Sequence, residues 1–189
     1  MDEPTTETPV SRISFEIPSS VLRNISKAII AFSYFEATVE MAIWNILKLE
    51  SDDGRIFTRT MQAVRKIGIL QEVVERRHTN LTRSILDKDC WKRAKDAAQE
   101  RNIAAHGVWI WFDQKTSAVV SLRWMDQPNT ITAEMFPISR LRLLARDSTI
   151  LDSMLRSCLA DLKVPPPPFA PPPHKMSTTL VINHTLEQS

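Results

Sequence analysis

Apolar residues recur at three- and four-residue intervals along most of the chain, a period that predicts amphipathic helices. The first predicted helix begins at Pro18-Ser19-Ser20 and ends near the polar residues 51–54. A second is predicted from about residue 56 to residue 77, and a third from 87–89 to His106-Gly107. The apolar stripe of the first helix is wide, which predicts contacts with more than one neighbouring helix.

After residue 107 the pattern changes to short runs rich in β-branched and aromatic residues. Residues 108–112 and 118–124, with the polar residues 113–117 between them, predict a β-hairpin. Pro137 suits the first turn of a final helix whose apolar residues continue to Leu162. The predicted fold class is therefore mainly α, a helical bundle with a β-hairpin inserted before its last helix.

Polar and proline-rich segments on either side of this region give the predicted domain boundaries. Residues 1–17, rich in Thr, Pro and Glu, predict a flexible N-terminal arm, and residues 18–164 the helical domain. Residues 165–189 begin with a proline run that favours an extended polyproline conformation. This proline-rich tail is either a stiff spacer to a disordered end or a segment that docks in an aromatic groove of a partner.

Glycine is scarce, since the 189-residue chain has only Gly54, Gly68 and Gly107, which lie far apart. No glycine-rich loop is present to place backbone N–H groups on a phosphate, which excludes nucleotide binding of that type. No apolar run approaches the length that crosses a bilayer, and the acidic N-terminus is unlike a secretory signal. We expect a cytoplasmic protein that does not enter a membrane.

Residues that bind metals are scattered along the chain. Cys90 and Cys158 have no C-x-x-C spacing, and the four histidines are too dispersed to suggest a metal cluster. The cysteines predict two buried free thiols, with a disulfide as the alternative, and neither a metal nor another cofactor is expected. The net charge of +2 is compatible with RNA binding but does not by itself indicate it.

One charged residue interrupts the apolar stripe of the third predicted helix. The stripe otherwise consists of small or aromatic residues, namely Trp91, Ala94, Ala98 and Ala105. Arg101 stands where the helical period expects a small apolar side chain, and a buried arginine needs an anionic partner or several acceptors. That partner is either a carboxylate of the first helix, Glu36 or Glu40, or the phosphate of a ligand.

Two further polar residues lie close to Arg101 on the same helix. Asn102 and His106 are one helical turn apart, so their side chains share a face. Arg101 lies about 140° around an ideal helix from His106. Both side chains reach one atom if the helix ends at Gly107, which is suited to the left-handed conformation that terminates helices.

The segment Arg101-Asn102-Ile103-Ala104-Ala105-His106 resembles the R-x(4–6)-H motif of the HEPN superfamily, in which a polar residue often follows the arginine. The likeness in architecture covers roughly residues 20–162. It implies a HEPN-like helical bundle and, as in many members, a metal-independent endoribonuclease that forms a homodimer. Many such members are toxins or antiphage effectors, which adds an antitoxin or inhibitor protein as a partner. One toxin–antitoxin branch has H-x-Y, but Val108 replaces that tyrosine here, so partner modification of it is not implied.

These residue types suit cleavage of RNA without a metal. A histidine transfers the protons of the ribose 2′-OH and the 5′-oxygen, and an arginine binds the phosphate and stabilises its growing charge. His106 is therefore the candidate acid/base and Arg101 the phosphate ligand, while Asn102 orients His106 or a phosphate oxygen. The alternative is structural: Arg101 pairs with a carboxylate, His106 is stabilised by the helix dipole, and the chain is a non-catalytic RNA-binding or protein-interaction module.

The predicted hairpin carries three tryptophans, Trp109, Trp111 and Trp124. Exposed together, they would form a platform on which RNA bases stack. The alternative is that one face of the hairpin closes the core with them, as is common for alternating positions of a strand.

Overall fold

A computed structural model describes residues 13–14, 17–77, 86–112, 118–124 and 131–161 of the chain. The described residues are mainly helical, as the periodicity predicts. Their helices are α1 (Ser19–Leu47), α2 (Ser51–Thr58), α3 (Ala63–Arg77), α4 (Lys88–His106) and α5 (Ile138–Asp161). Their strands are β1 (Ile13–Ser14), β2 (Val108–Phe112), β3 (Ala118–Trp124) and β4 (Ile131–Pro137).

The first helix ends before the polar residues 51–54 that were expected to stop it. Lys48 follows α1 in the left-handed conformation, with φ 57°, and its N–H donates to the carbonyl of Asn45 at 3.2 Å. Residues 51–54 instead begin α2, in whose first turn Asp52 and Asp53 favourably face the positive end of the helix dipole.

The second predicted helix is in fact two helices, α2 and α3. Thr58, the last residue of α2, accepts a hydrogen bond from the indole N–H of Trp44 near the end of α1. Lys66 in the first part of α3 bonds to Glu36 and Glu40, further back along α1. A straight helix antiparallel to α1 could make both contacts. However, Arg77, nineteen residues after Thr58, donates to the carbonyl of Ile46, only two residues after Trp44, at 2.9 Å, so the chain must bend between α2 and α3.

Helices α1 and α3 run parallel to each other. Lys66 contacts Glu36 and Glu40, and the guanidinium of Arg77, later in α3, donates to the carbonyl of Ile46, later in α1, at 2.9 Å. The two contacts advance in the same direction along both helices. For α1 and α3 to be parallel, the chain must turn back toward the start of α1 between them, and it does so in and around α2.

Helices α4 and α5 are antiparallel. Arg93 pairs with Asp147 at 3.3 Å, whereas Glu100, later in α4, bonds to Arg140, earlier in α5. The bundle encloses one core, whose largest fully buried apolar side chains are Phe32, Phe136, Ile43, Ile67, Leu70, Leu141 and Leu151. Within the described part of the chain, no helix combines the length and the apolar character needed to cross a membrane.

The strands form an antiparallel sheet in the order β1-β2-β3-β4. β2 and β3 pair with Val108 opposite Leu122, while residues 113–117, predicted as the turn of a hairpin, lie outside the described residues. Ile13 and Ser14, which fall within the predicted arm, pair with β2. Residues 1–12 and 15–16 of that arm and the proline-rich tail, residues 165–189, also lie outside the described residues.

Strand β4 is an element that the sequence analysis lacks. Its residues Ile131, Ala133 and Met135 alternate with polar residues, a period-two signal that is present but short. Pro137, expected in the first turn of the last helix, is the final residue of this strand, and α5 begins at Ile138. The sheet therefore leads into α5 without an intervening loop.

Gly54 and Gly68 both lie in helices, but the space available for an added side chain differs between them, which gives a prediction about stability. A Cβ at Gly54 would lie 2.5 Å from Cγ of Trp44, whereas a Cβ at Gly68 would have nothing within 4 Å. We expect Gly54→Ala to lower the free energy of unfolding by about 1–3 kcal/mol through overpacking. Gly68→Ala should raise it by about 0.5–1 kcal/mol because alanine favours helix. Urea unfolding measures both, and a shift of both variants in one direction would contradict this packing.

Candidate functional site

The motif residues lie in the last two turns of α4, whose ends are defined locally. Asp87 precedes the helix, and its carboxylate accepts a hydrogen bond from the backbone N–H of Cys90 at 2.8 Å. At the other end the helix stops at His106, and the N–H of Gly107 donates to the carbonyl of Ile103 at 2.9 Å. The predicted boundaries of this helix are confirmed.

The expected conformation of Gly107 is wrong. Its φ of −71° and ψ of 141° are extended, not left-handed. The reason is that strand β2 begins at the next residue, Val108, so the chain must pass directly from helix to extended backbone. The approach of Arg101 and His106 therefore gains nothing from a left-handed glycine at this position.

The side chain of Arg101 packs between α4 and α1, and three quarters of it is buried. Its guanidinium carbon is 5.9 Å from the ring centroid of Phe32, a cation–π distance. Nη1 donates to Oδ1 of Asn102 at 3.4 Å, and Nη2 is 3.9 Å from Oε2 of Glu36. Among the residues described, the buried Nε has no hydrogen-bond partner. Arg101 is thus surrounded by protein but uses few of its five N–H donors.

The carboxylate of Glu36 is engaged mainly by another cation. Nζ of Lys66 donates to Oε1 of Glu36 at 2.7 Å and also bonds to Oε1 of Glu40. Lys66 is only 5% exposed, which explains why it needs both carboxylates. Of the two partners considered for Arg101, Glu36 is therefore the nearer carboxylate, but at 3.9 Å it lies beyond hydrogen-bond distance.

Lys66 is the charged residue of this region that the sequence analysis overlooked. It lies in the buried stripe of α3, among Ala63, Ile67, Leu70 and Val74. This is the same signal that singled out Arg101, a long cation at an apolar position of a helix. Applied to α3, it would have identified Lys66 as a buried group in need of carboxylate partners.

The pKa of Lys66 reflects two opposing effects. Burial by itself lowers the pKa, but the hydrogen bonds to Glu36 and Glu40, together with their charges, outweigh it and raise the pKa above the ordinary lysine value. A lysine with a raised pKa stabilises the fold fully below its unfolded-state pKa of about 10.4, and this contribution disappears as the pH rises through the folded-state pKa.

We therefore expect the fold to lose stability above about pH 10 through Lys66. Lys66→Arg is the matched control, because a guanidinium keeps its proton in this range. Urea unfolding of both proteins at several pH values measures the effect. The wild type should weaken relative to Lys66→Arg only at the alkaline end, and a constant difference up to pH 11.5 would contradict the prediction.

Asn102 and His106 occupy different environments. Asn102 is half-buried and holds the long hydrogen bond from Arg101, so the structure brings these two residues together. His106 is exposed at the end of α4, and among the described residues no side-chain hydrogen bond or ion pair to it is present. Among the described residues, no side chain orients its ring through a hydrogen bond.

A second arginine packs beside the motif. Arg140 of α5 bonds to Glu100, and its guanidinium carbon lies 4.3 Å from the ring centroid of Phe136. The half-buried Trp109 meets the same ring edge-on at 5.5 Å and donates from its indole nitrogen to the carbonyl of Ala104 at 3.2 Å. Trp109 therefore closes the core, as in the second interpretation of the tryptophans. The side chains of the other two lie outside the described part.

Cys90 and Cys158 are buried and are not joined in a disulfide, which confirms the prediction of two buried thiols. Burial, and to a smaller extent the nearby charge of Asp87, raises the pKa of the Cys90 thiol, which disfavours the reactive thiolate. In the described part of the chain, His, Cys, Asp and Glu side chains do not gather in groups of three that could hold a metal ion.

The chain matches no model of a known protein family, no curated protein and no solved structure.

Proposed function

We propose that this protein is a metal-independent, HEPN-like endoribonuclease that cleaves RNA by attack of a ribose 2′-OH on the adjacent phosphate. Arg101 binds the phosphate, His106 transfers protons, and Asn102 orients His106 or a phosphate oxygen. In the reaction the 2′-oxygen bonds to phosphorus as its proton leaves. The bond to the 5′-oxygen breaks, this oxygen gains a proton, and a 2′,3′-cyclic phosphate remains.

The observation that carries this proposal is the bonding of Arg101. An arginine that stabilises a fold is held most strongly by a carboxylate that accepts two of its N–H groups. Arg101 instead has one long hydrogen bond to Asn102, a buried Nε without a partner among the described residues, and Glu36 at 3.9 Å. A phosphate oxygen at the exposed edge of the guanidinium would accept hydrogen bonds from the Nη groups that the protein leaves unused, and phosphate binding is a use to which arginine is well suited.

The position of His106 supports a role in proton transfer. It is exposed on the same helix, one turn beyond Asn102, so its ring is accessible to RNA from solvent. Imidazole exchanges protons near neutral pH, so it can serve as base for the 2′-OH and as acid for the 5′-oxygen.

The test is cleavage of total RNA in EDTA by the wild type, Arg101→Ala and His106→Ala. Each protein is first compared by circular dichroism. Arg93→Ala is the matched control, because Arg93 lies on the same helix in an exposed ion pair with Asp147. We expect cleavage by the wild type and the control, with 2′,3′-cyclic phosphate ends, and a loss of about 100-fold or more in the two motif variants. Equal cleavage by all four proteins would remove Arg101 and His106 from the catalytic machinery.

One observation favours a second function, a non-catalytic HEPN-like RNA-binding or protein-interaction module. His106 has no hydrogen-bond partner among the described residues, whereas general acids and bases are commonly held in place by one. In the RNA-binding form of this alternative, the wild type binds RNA without cleaving it. Arg101→Ala then weakens binding and His106→Ala does not.

The resemblance also supports a proposal about partners. We propose a homodimer in which two copies of the motif meet, acting as a toxin or antiphage effector that an antitoxin or inhibitor protein controls. Light scattering of the purified protein tests the dimer. A stable monomer that still cleaves RNA would rule out a site composed of two subunits.

A further inference from the structure

Four charged residues from three helices form a network that is here termed the charge cluster: Glu36 and Glu40 of α1, Lys66 of α3 and Arg101 of α4. The four charges of the cluster sum to zero, but its two cations do not contact the carboxylates equally. Lys66 bonds to both carboxylates, whereas Arg101 lies 3.9 Å from one oxygen of Glu36 and shares no hydrogen bond with it.

We propose that Lys66 is a positioning residue that holds Glu36 away from Arg101, so that the guanidinium stays available to an RNA phosphate. Glu36 is then an internal competitor of the phosphate, and Lys66 limits that competition. The inference rests on the proposed function, of which it describes the regulation.

The difference in burial between the two cations explains why Lys66 takes the carboxylates. Lys66 is 5% exposed, so an ammonium group at this position must be satisfied by protein acceptors. The side chain of Arg101 is 25% exposed, so part of its guanidinium is solvated without protein acceptors. Both carboxylates are therefore stabilised more by turning toward Lys66 than toward Arg101.

The remaining neighbours of Arg101 do not neutralise it. Phe32 contributes a ring face, and Asn102 a neutral amide oxygen at 3.4 Å. Glu100, the preceding residue in the chain, points away around the helix and bonds to Arg140. Glu36 is thus the only carboxylate in the described residues within ion-pair distance of Arg101.

The proposal predicts opposite effects from two variants of the cluster. Glu36→Gln removes the competitor, so RNA should bind more tightly. In the double variant Lys66→Met/Glu40→Gln the carboxylate of Glu36 has no cation left except Arg101, which it should then engage directly, so RNA should bind less tightly. The double variant keeps the net charge of the wild-type cluster, and Glu40→Gln is the matched control for the charge change of Glu36→Gln.

The probe is a 2′-O-methyl RNA oligonucleotide, which cannot be cleaved because it lacks a free 2′-OH, with its Kd measured by fluorescence anisotropy. We expect Glu36→Gln to bind about threefold to tenfold more tightly than the wild type and more tightly than Glu40→Gln, and the double variant about tenfold more weakly. The NMR signal of the Arg101 Nε–H should move on titration in the wild type and less in the double variant.

Several results would overturn the inference. If the charge cluster only stabilises the fold, RNA binding should weaken in both Glu36→Gln and the double variant. If the cluster plays no part in RNA binding, the Kd of neither variant should change. Absence of binding by every protein overturns it as well. If the double variant does not fold, the Kd of Glu36→Gln is compared with that of Glu40→Gln, and tighter binding by Glu36→Gln alone is the result that the inference requires. Failure of the proposed function gives a different result. If the variants bind RNA in the predicted order but the wild type does not cleave total RNA, the inference stands and the nuclease is rejected.

Discussion

Replacing Arg101 with lysine is expected to slow RNA cleavage about a hundredfold, although the charge of the site is unchanged. A guanidinium bonds to two phosphate oxygens at once and stays aligned with them as charge develops in the transition state, whereas an ammonium group is a point charge on a flexible stem. The fold should survive, because lysine still places a cation near Glu36. The rate at saturating RNA, measured in EDTA, tests this directly.

Arg93→Lys is the control for this substitution. It makes the same chemical change on α4, at an ion pair with Asp147 in which the arginine side chain is 47% exposed. Its cleavage rate should equal that of the wild type. A fast Arg101→Lys enzyme would show that the planar fork is not used, and equal losses in both variants would point to a general effect on the helix.

The largest expected loss of stability follows from Lys66→Met, which should lower the free energy of unfolding by about 3–5 kcal/mol. The variant leaves Glu36 and Glu40, whose side chains are 18% and 24% exposed, without their shared cation. Like charges that are partly removed from water repel each other strongly, and Arg101 is placed to compensate only one of them. Urea unfolding at pH 8 measures the loss.

The double variant Lys66→Met/Glu40→Gln identifies the cause of this loss. It carries one carboxylate fewer, which removes the repulsion, so it should be more stable than Lys66→Met alone. Lys92→Met is the control, because Lys92 forms an exposed ion pair with Asp96 on α4 and its removal should have little effect. A loss at Lys66 that Glu40→Gln does not relieve would indicate altered packing, not unpaired charge.

The boundaries of α4 were predictable because the signals that set them are local. Asp87 caps the first turn through its own side chain, and the apolar period continues to His106. Gly107 was not predictable in the same way, since its preference for a left-handed ending yields to the strand that follows it. The break between α2 and α3 has a similar origin, because it depends on where each of them contacts α1.

The candidate site shows the same division. The interruption of an apolar stripe identifies Arg101 as an unusual residue, and the spacing to Asn102 and His106 suggests its chemistry. The stripe does not indicate which acceptors surround Arg101. Glu36 and Glu40 are equivalent in sequence, one turn apart on α1, and Lys66 of α3 bonds to both. Only the packing of α4 against α1, which places Arg101 3.9 Å from Glu36, makes them different.

The sequence by itself therefore determined the mainly helical class and the ends of α4, and it nominated Arg101, Asn102 and His106 as candidate residues, all from patterns within one or two turns of helix. The tertiary structure decided which cation holds which carboxylate, and hence that Arg101 retains unused donors. The physical reason is that Lys66 and Arg101 compete for the same carboxylate. Such a competition is settled by distance and burial, which exist only after α1, α3 and α4 have packed together.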